Sequence, residues 1–119
     1  MDLMPTDREF LESLYRAFNT RDLETALAGM HPDVDWPNGL EGGRVEGHSG
    51  VREYWTRQWA SVDSSAEPQG FSTDETGRTV VDVHLVIRDL NGNLLVDRMA
   101  QHVYEMQEGL VLRMEIKDA

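Results

Sequence analysis

Cysteine is absent from the 119 residues. That excludes disulfides, a thiolate nucleophile and any cysteine-ligated metal, and it fits a reducing, cytoplasmic setting. Positive charge is scarce, with 11 Lys and Arg against 22 Asp and Glu and a net charge of −11. Such a surface repels phosphate backbones and anionic membranes, and no basic cluster interleaves with aromatics. Neither nucleic acid nor a membrane surface is an expected partner. No apolar run approaches a bilayer span, and the opening MDLMPTDREF lacks the basic and apolar regions of a signal peptide. The glycines between Gly39 and Gly50 are not followed by Gly-Lys-Ser/Thr, so they form no phosphate loop. No His, Asp and Glu set has metal-ligand spacing, so no metal is expected. There is no internal repeat or low-complexity tract. What remains is one domain over 1–119, long enough to bury a core without staples.

The most informative stretch is Val80 to Asp118. Asn91-Gly92 lies between two alternating runs, the strongest short-range hairpin signal, because both turn positions tolerate positive φ. A hairpin centred there sets Val83 opposite Ala100, Asp82 opposite Gln101 and His84 opposite Met99. Side chains alternate between faces. One face then carries Val81, Val83, Leu85, Ile87, Val96, Ala100, His102 and Tyr104. The other carries Asp82, His84, Asp97 and Gln101, mixed with Val80, Val86, Met99 and Val103. A third strand follows Glu108-Gly109. His84 and His102 point to opposite faces and cannot share a metal.

Upstream, Thr6 and Glu9 have capping-box spacing, and Phe10, Leu11, Leu14, Ala17 and Phe18 recur at helical spacing. Asn19 to Arg21 is a break, and Asp22 caps a short second helix that ends at His31-Pro32. Val34 to Trp36 is a short strand and Pro37 to Gly50 a loop. Ser49 caps a third helix bearing Val51, Tyr54, Trp55, Trp59 and Val62. Phe71 begins a strand, and Asp74 to Arg78 turns. Helices first and antiparallel strands afterwards indicate an α+β domain with helices on one face of the sheet. Long strands curl under their normal twist, and a curled sheet closed by helices encloses a default small-molecule site.

Three runs carry a family resemblance. They are Phe18-Asn19-Thr20-Arg21-Asp22-Leu23, His31-Pro32-Asp33-Val34-Asp35-Trp36, and Glu46-Gly47-His48-Ser49-Gly50-Val51-Arg52-Glu53-Tyr54-Trp55. With His102-Val103-Tyr104-Glu105-Met106, Gly109 and Arg113 to Asp118, they resemble SnoaL-like, ketosteroid-isomerase-like members of the NTF2-like superfamily over roughly residues 8 to 118. The resemblance implies an NTF2-like cone, N-terminal helices packed on a curved antiparallel sheet, with no cofactor. It is specific for the fold and weak for activity, since the superfamily holds isomerases, dehydratases, epoxide hydrolases, cyclases and binding modules. The steroid-isomerase base falls at Asn38, an amide, the oxyanion tyrosine at about Leu14 with Tyr15 one step away, and the oxyanion aspartate at about Gln101. The epoxide-hydrolase positions hold Asp82, His84 and Glu115.

Two expectations follow for the sheet. On periodicity alone, the apolar face packs under the helices and the polar face meets water. The resemblance implies the reverse, a cavity lined by Asp82, His84, Gln101, Arg113 and Glu115, with Met99 beside them. His84 would then be the acid or base, oriented by Asp82 or Glu115, and Gln101 and Arg113 would stabilise an oxyanion. Trp36, Asn38, Tyr54, Trp55 and Trp59 would contact a small apolar, ring-bearing molecule. The apolar stripe left outside would call for a second copy, a homodimer through the outer sheet face. The expected function is thus a small-molecule pocket protein, either a cofactor-independent isomerase, cyclase or hydrolase, or a non-catalytic binding or dimerising module.

Overall fold

Three helices cover one face of a six-stranded sheet in the computed structural model, which describes the backbone of residues 4–118 and the side chains of residues 8–117. In chain order the elements are α1 (Met4–Asn19), α2 (Leu23–Ala28), β1 (Met30–Pro37), β2 (Arg44–Glu46), α3 (Gly47–Ser61), β3 (Val62–Thr73), β4 (Thr79–Asp89), β5 (Leu94–Gln107) and β6 (Leu110–Asp118). The sheet order is β2-β1-β6-β5-β4-β3. Neighbours are antiparallel except β1 and β6, which run parallel. This is the α+β arrangement expected from the order of elements.

The β4–β5 hairpin has the register read from its turn, Val83 opposite Ala100, Asp82 opposite Gln101 and His84 opposite Met99. Gly92 sits at φ 91°, where a residue with a Cβ is strained. The Asp89 carboxylate accepts hydrogen bonds from the Asn91 and Asn93 amides at 2.9 Å each and closes the loop. Asp22 accepts from the Thr25 amide and caps α2, as its position predicts.

Several boundaries differ from expectation. The first helix begins at Met4, so Thr6 lies inside it; the Thr6 side chain is outside the described residues. The first strand begins at Met30 rather than Val34, because Gly29 already ends α2 and frees the backbone to pair with β6. The third helix starts at Gly47 with Glu46 at its cap position and no side-chain cap bond, so Ser49 lies in its first turn. Above all, β3 begins at Val62, directly after α3, not at Phe71. Its Ser64, Ser65, Pro68 and Gly70 resemble a loop in sequence. Pro68 is tolerated because β3 is an edge strand, and the register shifts between Pro68 and Gly70.

That edge is held by the end of α1. The Asn19 amide donates to the Ala66 carbonyl and accepts from the Ala66 amide, both at 2.9 Å, mimicking a neighbouring strand. Arg21 donates to the Ser64 carbonyl at 2.8 Å and reaches Asp63 at 2.7 Å. Unpaired edge groups are thereby covered.

The apolar face of the hairpin is the face under the helices. Val81, Val83, Tyr104 and Met114 join Leu11, Leu14, Tyr15, Val51, Tyr54 and Trp55 in one core. The register irregularity at Glu105 and Met106 brings Val111 into that core beside Met114. The placement implied by the family resemblance is therefore corrected, because hydrophobic burial decides which face the helices cover. Among the described residues, the stripe of Val81, Val83 and Tyr104 is covered by the helices, and it no longer calls for a homodimer through the outer face.

Replacing Asn19 with Ala removes both Ala66 bonds and leaves a partly buried amide and carbonyl unpaired. We expect a loss of about 1–3 kcal/mol. In urea unfolding the midpoint should fall with the slope unchanged.

Candidate functional site

A cavity of about 140 Å³ lies between the helices and the apolar sheet face. An apolar space of about this size takes one benzene-sized ring whole, and the open side lets further rings of a larger molecule extend outward. Helix α1 supplies Leu14, Tyr15 and Phe18, and α3 supplies Tyr54, Trp55 and Gln58. The sheet supplies Trp36, Leu85, Ile87, Met114 and Ile116, among others. Leu40 and Ile116, 43% and 37% exposed, stand at the open side. The walls are aromatic: Trp36 and Trp55 meet edge to face at 5.6 Å, and Trp55 meets Phe18 the same way at 4.9 Å.

Three of the polar side chains in this lining form one connected chain. Tyr104 on β5 donates to the Tyr15 hydroxyl on α1 at 2.7 Å. The Tyr15 hydroxyl is in turn 2.7 Å from His102 Nδ1. His102 and Tyr104 share the pocket face because they are two apart on a strand, and helical periodicity from Leu11 and Phe18 brings Tyr15 to them. The other imidazole nitrogen, His102 Nε2, is buried with no hydrogen-bond partner among the described residues.

Burial controls the protonation of this chain. Desolvation, helped by the charge of Arg98, pushes His102 down to about 4. The imidazole is therefore neutral at neutral pH. Burial and the neighbouring phenol raise Tyr15 well above its usual value, and burial likewise raises Tyr104. All three groups are thus uncharged, and the chain can offer a hydrogen bond to a bound molecule without burying a net charge.

A second polar group sits between α3 and β3. Ser64 donates to Gln58 Oε1 at 2.6 Å. Tyr54 accepts from the Leu40 amide at 3.2 Å and so ties the loop after β1 to α3. Asn38 is buried and holds that loop together, its amide donating to Glu41 and its carbonyl accepting from the Glu41 amide. Arg57 grips the same Glu41 with two bonds of 2.9 and 3.1 Å.

The residues expected at the site divide between the two faces. Trp36, Tyr54 and Trp55 line the cavity. Asn38 supports the loop, and Trp59 packs behind the wall, 5.5 Å from Trp55 with Arg21 over its ring. Met99 lies on the outer face and is 41% exposed. The proposed catalytic group does share one face, but that face is the outer one. Gln101 donates to Asp82 at 3.0 Å, His84 pairs with Asp97 at 2.6 Å, and Arg113 pairs with Glu115 at 3.2 Å and with Asp35. The correction again follows from burial, since a stripe of charged side chains under the helices would leave unpaired charge in the core. Tyr15, Arg98, His102 and Tyr104 were not expected at the site, although His102 and Tyr104 stand out as polar interruptions of the apolar stripe. Among the described residues, no three His, Asp or Glu side chains gather to hold a metal ion.

The geometry agrees with known proteins. A family model described as a SnoaL-like domain matches residues 11–114. The structure of TerC co-crystallised with polyporic acid is similar at 29% identity and TM-score 0.80, covering 95% of this chain and 91% of that one. An NTF2-like protein of unknown function from Burkholderia pseudomallei is similar at 25% identity and TM-score 0.80, covering 95% and 90%. SalBIII, described as an epoxide hydrolase/cyclase-like enzyme in pyran ring formation in salinomycin, has the same fold at 18% identity and TM-score 0.80, covering 100% and 95%. The fold is thus NTF2-like. No curated protein matches the sequence.

The shift of His102 predicts a pH effect on stability. Its folded value lies below its ordinary value of 6.5. Between the two, the unfolded chain binds a proton that the native state refuses, so stability falls as the pH drops from 6.5 towards 4. The span corresponds to about 3 kcal/mol. Denaturant unfolding at pH 7 and near pH 4 should show this loss in the natural protein, and His102→Leu should remove most of it.

Proposed function

The chain belongs to the SnoaL-like domain family, and we propose that it takes an apolar, ring-bearing small molecule into the cavity between sheet and helices. The observation that carries this is the cavity itself, aromatic-walled and closed on one side by the neutral Tyr104–Tyr15–His102 chain. Concave, mostly apolar spaces with a few placed polar groups are the usual form of small-molecule sites. The co-crystal of TerC with polyporic acid supports the class of ligand.

A second reading, cofactor-independent isomerisation or ring closure on the bound molecule, is favoured by the same chain. An uncharged imidazole connected to two phenols can donate a hydrogen bond to a carbonyl oxygen and polarise it. Against a hydrolase stands the lining, where no described residue is Asp or Glu to activate water. His84 as acid or base, with Asp82, Glu115, Gln101 and Arg113, would need a ligand on the outer sheet face, where those residues already pair with one another or with their neighbours. Pairing of two copies across that outer face is a separate proposal, tested by sedimentation over a range of concentrations.

Isothermal calorimetry with polyporic acid tests the binding reading. We expect saturable binding that Leu85→Trp, which narrows the cavity, weakens by about tenfold or more. His84→Gln should leave it unchanged. Equal affinity in Leu85→Trp and loss in His84→Gln would transfer the site to the outer face.

A further inference from the structure

The chain of three side chains has a direction. Tyr104 donates to the Tyr15 hydroxyl, which commits the single phenolic proton of Tyr104. Tyr15 then has its own proton to give, and His102 Nδ1, 2.7 Å away, is in place to accept it. A neutral imidazole carries one N–H, and a nitrogen that accepts a hydrogen bond is the one without it. With the hydrogen bonds running in this direction, the proton of His102 falls on Nε2. That N–H is buried and has no partner among the described residues. A buried unpaired donor is costly, and such groups in native structures call for a reason. His102 lines the cavity, so a molecule bound there can supply the missing acceptor.

We propose that Tyr104 and Tyr15 hold His102 as its Nε2–H tautomer, so that the cavity selects ring-bearing molecules presenting an acceptor oxygen, such as a ring carbonyl, over hydrocarbons of the same shape. This rests on the cavity being the ligand site. Tyr104 is here a positioning residue, acting on the ligand through Tyr15 and His102. Water does not reach Nε2, so the acceptor arrives only with a ligand that pushes the neighbouring side chains aside. The polar group is uncharged, as the burial of His102 requires, and the donor is in place before the ligand enters.

Two measurements on the full chain test this. Nitrogen-detected NMR of the imidazoles, with His102 assigned by His102→Leu, reads the tautomer without any ligand. We expect Nε2 to be protonated and Nδ1 to be bare in the natural protein. In Tyr104→Phe, which frees Tyr15 to turn its hydroxyl, the two nitrogens should move towards a mixed tautomer. A His102 protonated on Nδ1, or a tautomer unmoved by both Tyr104→Phe and Tyr15→Phe, would overturn the positioning role. The second measurement compares α-tetralone with its hydrocarbon tetralin, following methyl shifts of cavity residues. We expect the ketone to bind about tenfold more tightly, the scale of one buried hydrogen bond, with the preference largely lost in Tyr15→Phe. Equal binding of the two would overturn the selection and leave the cavity as the site. If neither binds up to its solubility, the cavity reading falls and takes the selection with it, while the tautomer result is still judged by itself.

Discussion

The register of the β4–β5 hairpin is the constraint from which the site follows. Val83 opposite Ala100 puts Val81, Leu85, Ile87, His102 and Tyr104 on one side of the sheet and Asp82, His84, Asp97 and Gln101 on the other. A slip of one residue would exchange the two sets, because side chains alternate strictly along a strand. With this register, only one side can be covered by helices without burying unpaired charge. The helices bring Leu14, Tyr15, Tyr54 and Trp55 to the apolar side, and the cavity is the space their packing leaves.

The same constraint explains why the buried polar groups in the cavity are few and neutral, while the charged Arg98 of the lining keeps an exposed position. A strand that contributes apolar residues at every second position contributes His102 and Tyr104 at two of them. Buried there, both must find partners, and Tyr15 serves both from the facing helix. The charged residues of the outer face have another task. Asp35, Arg44, Arg113, Glu115 and Arg78 link β1, β2, β6 and the start of β4 by ion pairs, holding together the edge where β1 lies parallel to β6. Exposed pairs of this kind contribute little singly and act mainly through their connection.

Much of this was legible in the chain. The Asn91-Gly92 turn gave the hairpin its register, Asp22 gave the start of α2, and the alternation of the last strands gave the two faces. The cavity face was legible too, since periodicity alone puts the apolar stripe under the helices. The family resemblance pointed the other way and put Asp82, His84 and Gln101 in the cavity, whereas burial puts Leu85 and His102 there. Tyr15 was hidden for a different reason. Its neighbour Leu14 occupies the expected helix position, and its partner lies 87 residues away, a contact that no local spacing reveals. The strand β3 was hidden by Ser64, Ser65, Pro68 and Gly70, which are tolerated there because Asn19 and Arg21 bind its edge.

The central claim is that ligands enter on the apolar side of the sheet. The most direct measurement is chemical-shift mapping of the protein, labelled in methyl groups and backbone amides, as polyporic acid is added. The account predicts shifts at Leu85, Ile87, Met114 and Ile116, with His84, Gln101 and Glu115 undisturbed. Shifts confined to His84, Gln101 and Glu115 would contradict it.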